Sequence, residues 1–176
     1  MDARSFGEYK KGHIPGAVNI DLFQLHWFDT SKRGIKDFNR QTRILLSNIG
    51  IQRKTHVIFY DDISGVSAAR GAWLLLYFSH KMVSMLDGGF EVWKRSRYPI
   101  EIRGNPLIPS KFKGKIDNNV ISTAEQLKRS LKNKKAVILD ARSKEEFNGS
   151  DVRAARLGHI PSAVNIDWQK NIENSS

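Results

Sequence analysis

Residues 12–21 read GHIPGAVNID and residues 158–167 read GHIPSAVNID, so nine of ten positions recur within one chain. Each block follows the same tetrad, DARS, at 2–5 and at 140–143. The chain is therefore built on an internal repeat, and its length must be divided accordingly. The tetrads lie 138 residues apart and the GHIP blocks 146, so the second copy carries eight additional residues in between. Residue 176 comes soon after the second block, and most of the second unit is expected to be missing.

The second copy shows what precedes the tetrad in a full unit. Ser122 with Glu125 makes a capping pattern, and Leu127 and Leu131 follow at helical spacing, which predicts a helix over 123–132. Residues 136–139 are a short apolar run ending at Asp140, the signature of a buried strand. Met1 stands where Leu139 stands in the second copy, so the first copy is expected to lack its first strand, leaving a gap or an unpaired edge. The segment 135–140 is the same element and is expected to fill that gap, within or between chains.

After each tetrad, Ser5 with Glu8 and Ser143 with Glu146 predict a short helix, and residues 17–20 the next strand. A helix is expected over 40–48, with Ile44, Leu45 and Ile49 facing inward and Gly50 ending it. The β-branched and aromatic run 56–60 predicts a central strand that empties into Asp61, Asp62, Ile63, Ser64 and Gly65. An apolar helix over 66–78, a strand over 82–86 and a helix carrying Phe90 and Trp93 complete the pattern. Strands alternating with helices imply an α/β fold, a parallel sheet with helices on both faces and right-handed crossovers. Periodicity fades over 99–119, so the expected division is a first domain over 1–100, a linker over 101–119 that hugs the surface, and a second, truncated copy over 120–176. That last piece is too small to bury a core of its own.

Composition excludes several chemistries. There is no cysteine, hence no disulfide, thiolate metal site or thiol nucleophile. The five histidines show no metal-ligand spacing, and neither a metal nor a cofactor is expected. Lys and Arg number 29 against 18 Asp and Glu, a formal charge of +11. The cations are densest at Arg95, Arg97, Arg103, Lys111, Lys113 and Lys115 and over 128–135, positions that suit solvated surface or a general attraction for small anions better than nucleic acid. The longest apolar run, 72–78, is far short of the roughly 20 residues that span a bilayer. With no apolar leader at the N-terminus, the chain reads as cytoplasmic.

DARS before GHIPGAVNID, a strand ending in Tyr60 before a loop and an Arg70-bearing helix, and LDGGF followed by Trp93 and Pro99 together resemble the rhodanese family. Their order and duplication resemble its tandem members, the thiosulfate and 3-mercaptopyruvate sulfurtransferases. The resemblance implies a rhodanese-like sheet and a cysteine immediately after the central strand. That cysteine takes sulfur from a small anionic donor as a persulfide and passes it to a thiophilic acceptor. Converging loop amides and a helix N-terminus stabilise the sulfur anion. In tandem members the first domain usually lacks the cysteine and the second carries it.

The matching position here is Asp61, or Asp62 if the loop is aligned from Ser64 and Gly65. An aspartate there suits the cap of the following helix; an aspartyl nucleophile lacks a supporting metal-binding set. At the offset of the repeat, the second copy's loop falls past residue 176, so the resemblance implies a chain inactive by itself. Two roles remain open: one half of a sulfurtransferase, completed by a separately encoded C-terminal half, or a non-catalytic binding or regulatory module. Arg142 is the candidate substrate-binding residue, although Glu145 and Glu146 stand where relatives often place an arginine. His13 and His159 read as turn-stabilising, and Trp27, Trp73, Trp93 and Trp168 as packing residues.

Overall fold

A computed structural model describes residues 1–22, 29, 31–62, 65–132 and 136–171. His26, Trp27, Ile63, Ser64 and residues 133–135 lie outside the described residues. The chain forms two compact units, 1–120 and 121–176.

In the first unit, four parallel lanes lie side by side. Strand β1 (Val57–Phe59) pairs with β2 (Val83–Met85), Val57 opposite Val83. On the other side of β1, Ala3 N–H donates to the Tyr60 carbonyl at 2.8 Å and Tyr60 N–H to that of Met1 at 3.0 Å. Asp2 N–H in turn donates to Val18 O at 2.9 Å, and Ile20 N–H to Asp2 O at 2.8 Å. Residues 1–3 thus occupy the lane between β1 and residues 18–20 and bond both neighbours.

Helix α1 (Phe6–Lys11) starts at Ser5, whose Oγ accepts the Glu8 N–H at 3.2 Å. Helix α2 (Lys32–Asn48) begins eight residues earlier than the apolar pattern indicated, because Ser31 caps it by accepting the Gly34 N–H at 3.1 Å. Ile49 is buried as expected, but so are Thr42 and Leu46, whereas Ile44 is 50% exposed. Helix α3 (Val66–Tyr77) packs on β1 and β2, and Gly71 lets it approach Phe59; a Cβ at Gly71 would meet that ring at 2.5 Å. Helix α4 (Gly89–Arg95) closes the site end of the sheet, where Ala17, Tyr60 and Phe90 form a buried cluster with Ile14, Leu86 and Trp93 against it.

Residues 101–117 form a belt on the first unit. Glu101 and His13 exchange backbone hydrogen bonds of 3.0 and 2.9 Å, Ser110 N–H reaches Ser47 O at 2.8 Å, and Asp117 N–H reaches Tyr77 O at 2.8 Å. Phe112 is buried beneath it.

The second unit contains α5 (Ala124–Lys132), β3 (Leu139–Asp140), α6 (Lys144–Asn148) and β4 (Val164–Asn165), followed by a 3-10 turn at Trp168–Asn171. The α5 cap is Thr123 with Gln126, whose side chains accept each other's backbone N–H. The expected pair, Ser122 with Glu125, lies one residue out of phase with the helix start. Ser143 and Glu146 form the full capping box of α6. Strand β3 pairs with β4, as residues 1–3 pair with 18–20, so it completes its own unit's sheet along that edge. Neither α5 nor α6 buries a residue.

Candidate functional site

The site end of the sheet is where β1 stops and the chain turns into α3. Asp61 follows Tyr60, and its carboxylate turns back into the loop. Oδ1 accepts the Gly65 N–H at 2.9 Å, and Oδ2 accepts those of Ser67 at 2.9 Å and Ala68 at 3.2 Å. Gly65 takes φ +76, which turns the chain from the loop into the helix. Of the two aligned candidates, Asp61 occupies the amide cradle. Asp62 points elsewhere, towards Arg4.

The loop backbone is held from outside by α4. Phe90 N–H donates to Asp61 O at 2.8 Å and Glu91 N–H to Asp62 O at 3.0 Å. Gly89, at φ +57, lies so close that a Cβ would stand 2.6 Å from both loop carbonyl oxygens. This explains the second glycine of LDGGF.

Arg4 supports the loop from below. It is buried, with Nη2 2.6 Å from Asp2 Oδ2 and 2.7 Å from the Gly12 carbonyl oxygen, and Nη1 3.4 Å from Asp62 Oδ1. The guanidinium also lies 4.0 Å from the Phe90 ring centroid. Tyr60 Oη donates to Asp2 Oδ2 at 2.9 Å and accepts the Ile14 N–H at 3.1 Å. Burial pushes the Tyr60 phenol well above its ordinary range, and the Asp2 carboxylate adds to that shift. Desolvation likewise raises the Asp62 carboxyl, against the opposing pull of Arg4 and with Glu8 and Glu91 adding to the rise.

The histidines of the repeat brace their turns. His13 stacks on Tyr9 at 3.8 Å, and its Nδ1 lies 2.9 Å from Tyr9 O. Its Nε2 is 3.2 Å from Glu101 Oε1, without the alignment of a hydrogen bond. His159 stacks on Phe147 at 3.6 Å with Nδ1 2.8 Å from Phe147 O. Arg142 repeats the Arg4 geometry: Nη2 reaches Asp140 Oδ2 at 2.6 Å and the Gly158 carbonyl oxygen at 2.9 Å.

Trp73 stacks on Tyr77 at 5.4 Å, and Trp93 donates from Nε1 to Pro99 O at 2.8 Å. Trp168 is 42% exposed. Two residues escaped sequence reasoning. Glu101 accepts hydrogen bonds from Asn105 Nδ2 and, at 2.8 Å, from the Gly16 N–H, and these hold its carboxyl below the usual range. Both sit in a stretch that read as linker, and their other partners, Gly16, Tyr9 and Ala17, lie too far along the chain to leave a spacing signal. Among the described residues no group of acids and histidines is arranged to hold a metal ion, and no helix is long and apolar enough to cross a membrane.

The rhodanese-like domain model matches residues 1–96 and 123–176. The chain is 29% identical over 181 residues to thiosulfate sulfurtransferase of Gallus gallus and 31% identical over 188 residues to 3-mercaptopyruvate sulfurtransferase of Homo sapiens. Each alignment takes in 99% of this chain but 61% of the relative, so the chain spans about three fifths of their length. The solved structure of SseA from Escherichia coli, described as a 3-mercaptopyruvate sulfotransferase, is similar with TM-score 0.78 and 28% identity, over 95% of this chain and 67% of that one. EanB in complex with hercynine shares the fold, with TM-score 0.73 and 22% identity over 93% of this chain and 42% of that one. Both copies of the tetrad and GHIP block fall within the matched residues, and the chain belongs to the rhodanese-like domain family.

Proposed function

We propose that this chain serves sulfur transfer as the non-catalytic, Asp-loop domain of a sulfurtransferase acting on thiosulfate or 3-mercaptopyruvate, and moves no sulfur by itself. The observation that carries the reading is Asp61 in the amide cradle. In a persulfide cycle with thiosulfate, a thiolate attacks the outer sulfur, the S–S bond breaks and sulfite leaves. The persulfide then gives that sulfur to cyanide, and the thiolate returns. The cycle needs a sulfur nucleophile whose anion the loop amides stabilise. In this chain those amides already hold a carboxylate, which has no sulfur to offer and repels an anionic donor. The cysteine is supplied by polypeptide beyond these 176 residues, and Arg142 contributes positive charge on that side. The purified chain, incubated with thiosulfate and cyanide, is expected to form thiocyanate no faster than buffer; enzymatic turnover would overturn the reading.

A second reading, a binding or regulatory module, draws support from the second unit, where Val137, Leu139 and Val164 are 81%, 57% and 51% exposed. Apolar side chains gathered on so small a unit suit contact with another polypeptide. Co-expression with a cysteine-bearing sulfurtransferase half separates the two. A complex that forms thiocyanate supports the first reading, and a stable complex without turnover supports the second.

A further inference from the structure

Five cations of the first unit gather at the end of the sheet opposite the Asp61 loop. A groove of about 940 Å³ opens there, beside the N-terminal ends of β1 and β2. Arg53, Lys81, Lys111, Lys113 and Lys115 line it, and the lining contains no carboxylate. All five are exposed. Among the described residues none of them forms an ion pair. No side chain of the lining neutralises these cations.

The arrangement is built rather than incidental to a basic composition. Residues 111–115 belong to a strap pinned at both ends, by Ser110 on Ser47 and by Asp117 on Tyr77. Between the pins, Phe112 is sunk edge-on against Phe78 at 5.7 Å, and Arg43 donates to the Gly114 carbonyl. Burying Phe112 leaves Lys111, Lys113 and Lys115 exposed at alternate positions. Helix α3 ends at this groove, and a helix C-terminus ordinarily disfavours anions. Here the carbonyls of Leu74, Leu75, Leu76 and Tyr77 already accept hydrogen bonds from Phe78, Ser79, His80 and Asp117. They are not left to face a ligand.

Five cations around one cavity call for a ligand with several negative charges. Lysine ammonium groups act as point charges that suit phosphate oxygens. The rings at the groove, Phe78 and Phe112, are buried and offer no face on which a base stacks, which disfavours a nucleic-acid strand. A volume near the top of the roughly 300–1,000 Å³ range of small-molecule sites accommodates a short phosphate chain. We propose that this groove binds a linear oligophosphate, independently of the sulfur-transfer reading. Free tripolyphosphate and the phosphate tail of a nucleoside triphosphate present the same chemistry.

The test is calorimetric titration of the full chain with sodium tripolyphosphate and with ATP, at low and at physiological salt. The wild-type chain is expected to bind one tripolyphosphate per molecule. The triple variant K111Q/K113Q/K115Q should weaken binding about tenfold or more, whereas K128Q/R129Q/K132Q, which removes the same charge from exposed α5, should change it less than about twofold. ATP binding as tightly as tripolyphosphate assigns the site to a nucleotide tail; tighter tripolyphosphate binding assigns it to a free chain. Equal weakening by the two triples, several ions bound per chain, or tighter binding of a single-stranded oligonucleotide would overturn the proposal. Should the strap variant lose its circular dichroism, R53Q/K81Q, on the other side of the groove, gives the same discrimination.

Discussion

Removing the Asp61 carboxylate tests the description of the loop most directly. The side chain is buried and satisfies three backbone N–H groups, those of Gly65, Ser67 and Ala68. The second and third belong to the first turn of α3, so Asp61 acts as the cap that Gly65, at the N-cap position, cannot provide. A lost N-cap typically costs about 1 kcal/mol, and hydrogen bonds to a charged group contribute about 1.5–3 kcal/mol net. Asp61→Ala is therefore expected to destabilise the first unit by about 3 kcal/mol, since three bonds to one carboxylate do not add in full. Asp61→Asn retains an acceptor but turns an NH₂ towards the donors on the other side, and should cost more than half as much. Urea unfolding measures the loss. Hydrogen exchange at the Ser67 and Ala68 amides locates it, because these two should lose protection before the amides in the middle of α3. An Ala variant within about 0.5 kcal/mol of wild type, with both amides still protected, would refute the cradle.

Three further outcomes follow from the same geometry. In Asp61→Cys, the loop amides and the α3 N-terminus should bring the thiol below its ordinary pKa of about 8.5; an alkylation-rate profile with a midpoint at or above that value counts against the loop as an anion cradle. Arg4→Ala should cost about 3–5 kcal/mol by stranding buried Asp2, whereas Arg142→Ala, at a site with 41% side-chain exposure, should cost under about 1 kcal/mol; comparable losses in thermal unfolding would contradict the role assigned to burial. Desolvation raises the folded-state pKa of Asp62, so its contribution to stability is full below the unfolded value near 3.8 and is lost as pH rises through the raised value. Asp62→Asn should accordingly stabilise the protein at neutral pH, by only a few tenths of a kcal/mol because the side chain is 50% exposed, and the gain should vanish below about pH 3.8.

What the sequence makes legible here is local. The Ser143 and Glu146 box, the α3 run and the strand into Tyr60 each announce themselves within a few residues, and each lies where its pattern puts it. The misreadings arise where distant partners decide. Ile44, Leu45 and Leu46 are three consecutive apolar residues, and nothing within α2 says which faces inward. The buried face is marked by Thr42 and Leu46, while Arg43 and Ser47, on neighbouring turns, hold the belt at Gly114, Ser110 and Phe112. The α5 cap failed for a different reason. Ser122/Glu125 and Thr123/Gln126 are overlapping patterns one residue apart, and local sequence alone does not choose between them.

A structural clip joins the tetrad to the GHIP block in both copies and uses its glycine and its asparagine. In one copy the arginine Nε and Nη2 lie 3.0 and 2.6 Å from the aspartate oxygens, and in the other 2.9 and 2.6 Å. Asn19 Nδ2 bonds the carbonyls of Asp2 and Arg4 at 3.1 and 2.9 Å; Asn165 bonds those of Asp140 and Arg142 at 3.0 and 2.8 Å. Yet the arginine side chain is 4% exposed in the first copy and 41% in the second. The same geometry persists across that change of environment, so it is fixed by the residues of the repeat itself. Each position used by the clip ties a strand end to the following turn. The repeated block therefore accounts for the shared scaffold, while the chemistry depends on which residue enters the loop after the central strand. In this chain that residue is an aspartate whose oxygens already fill the cradle.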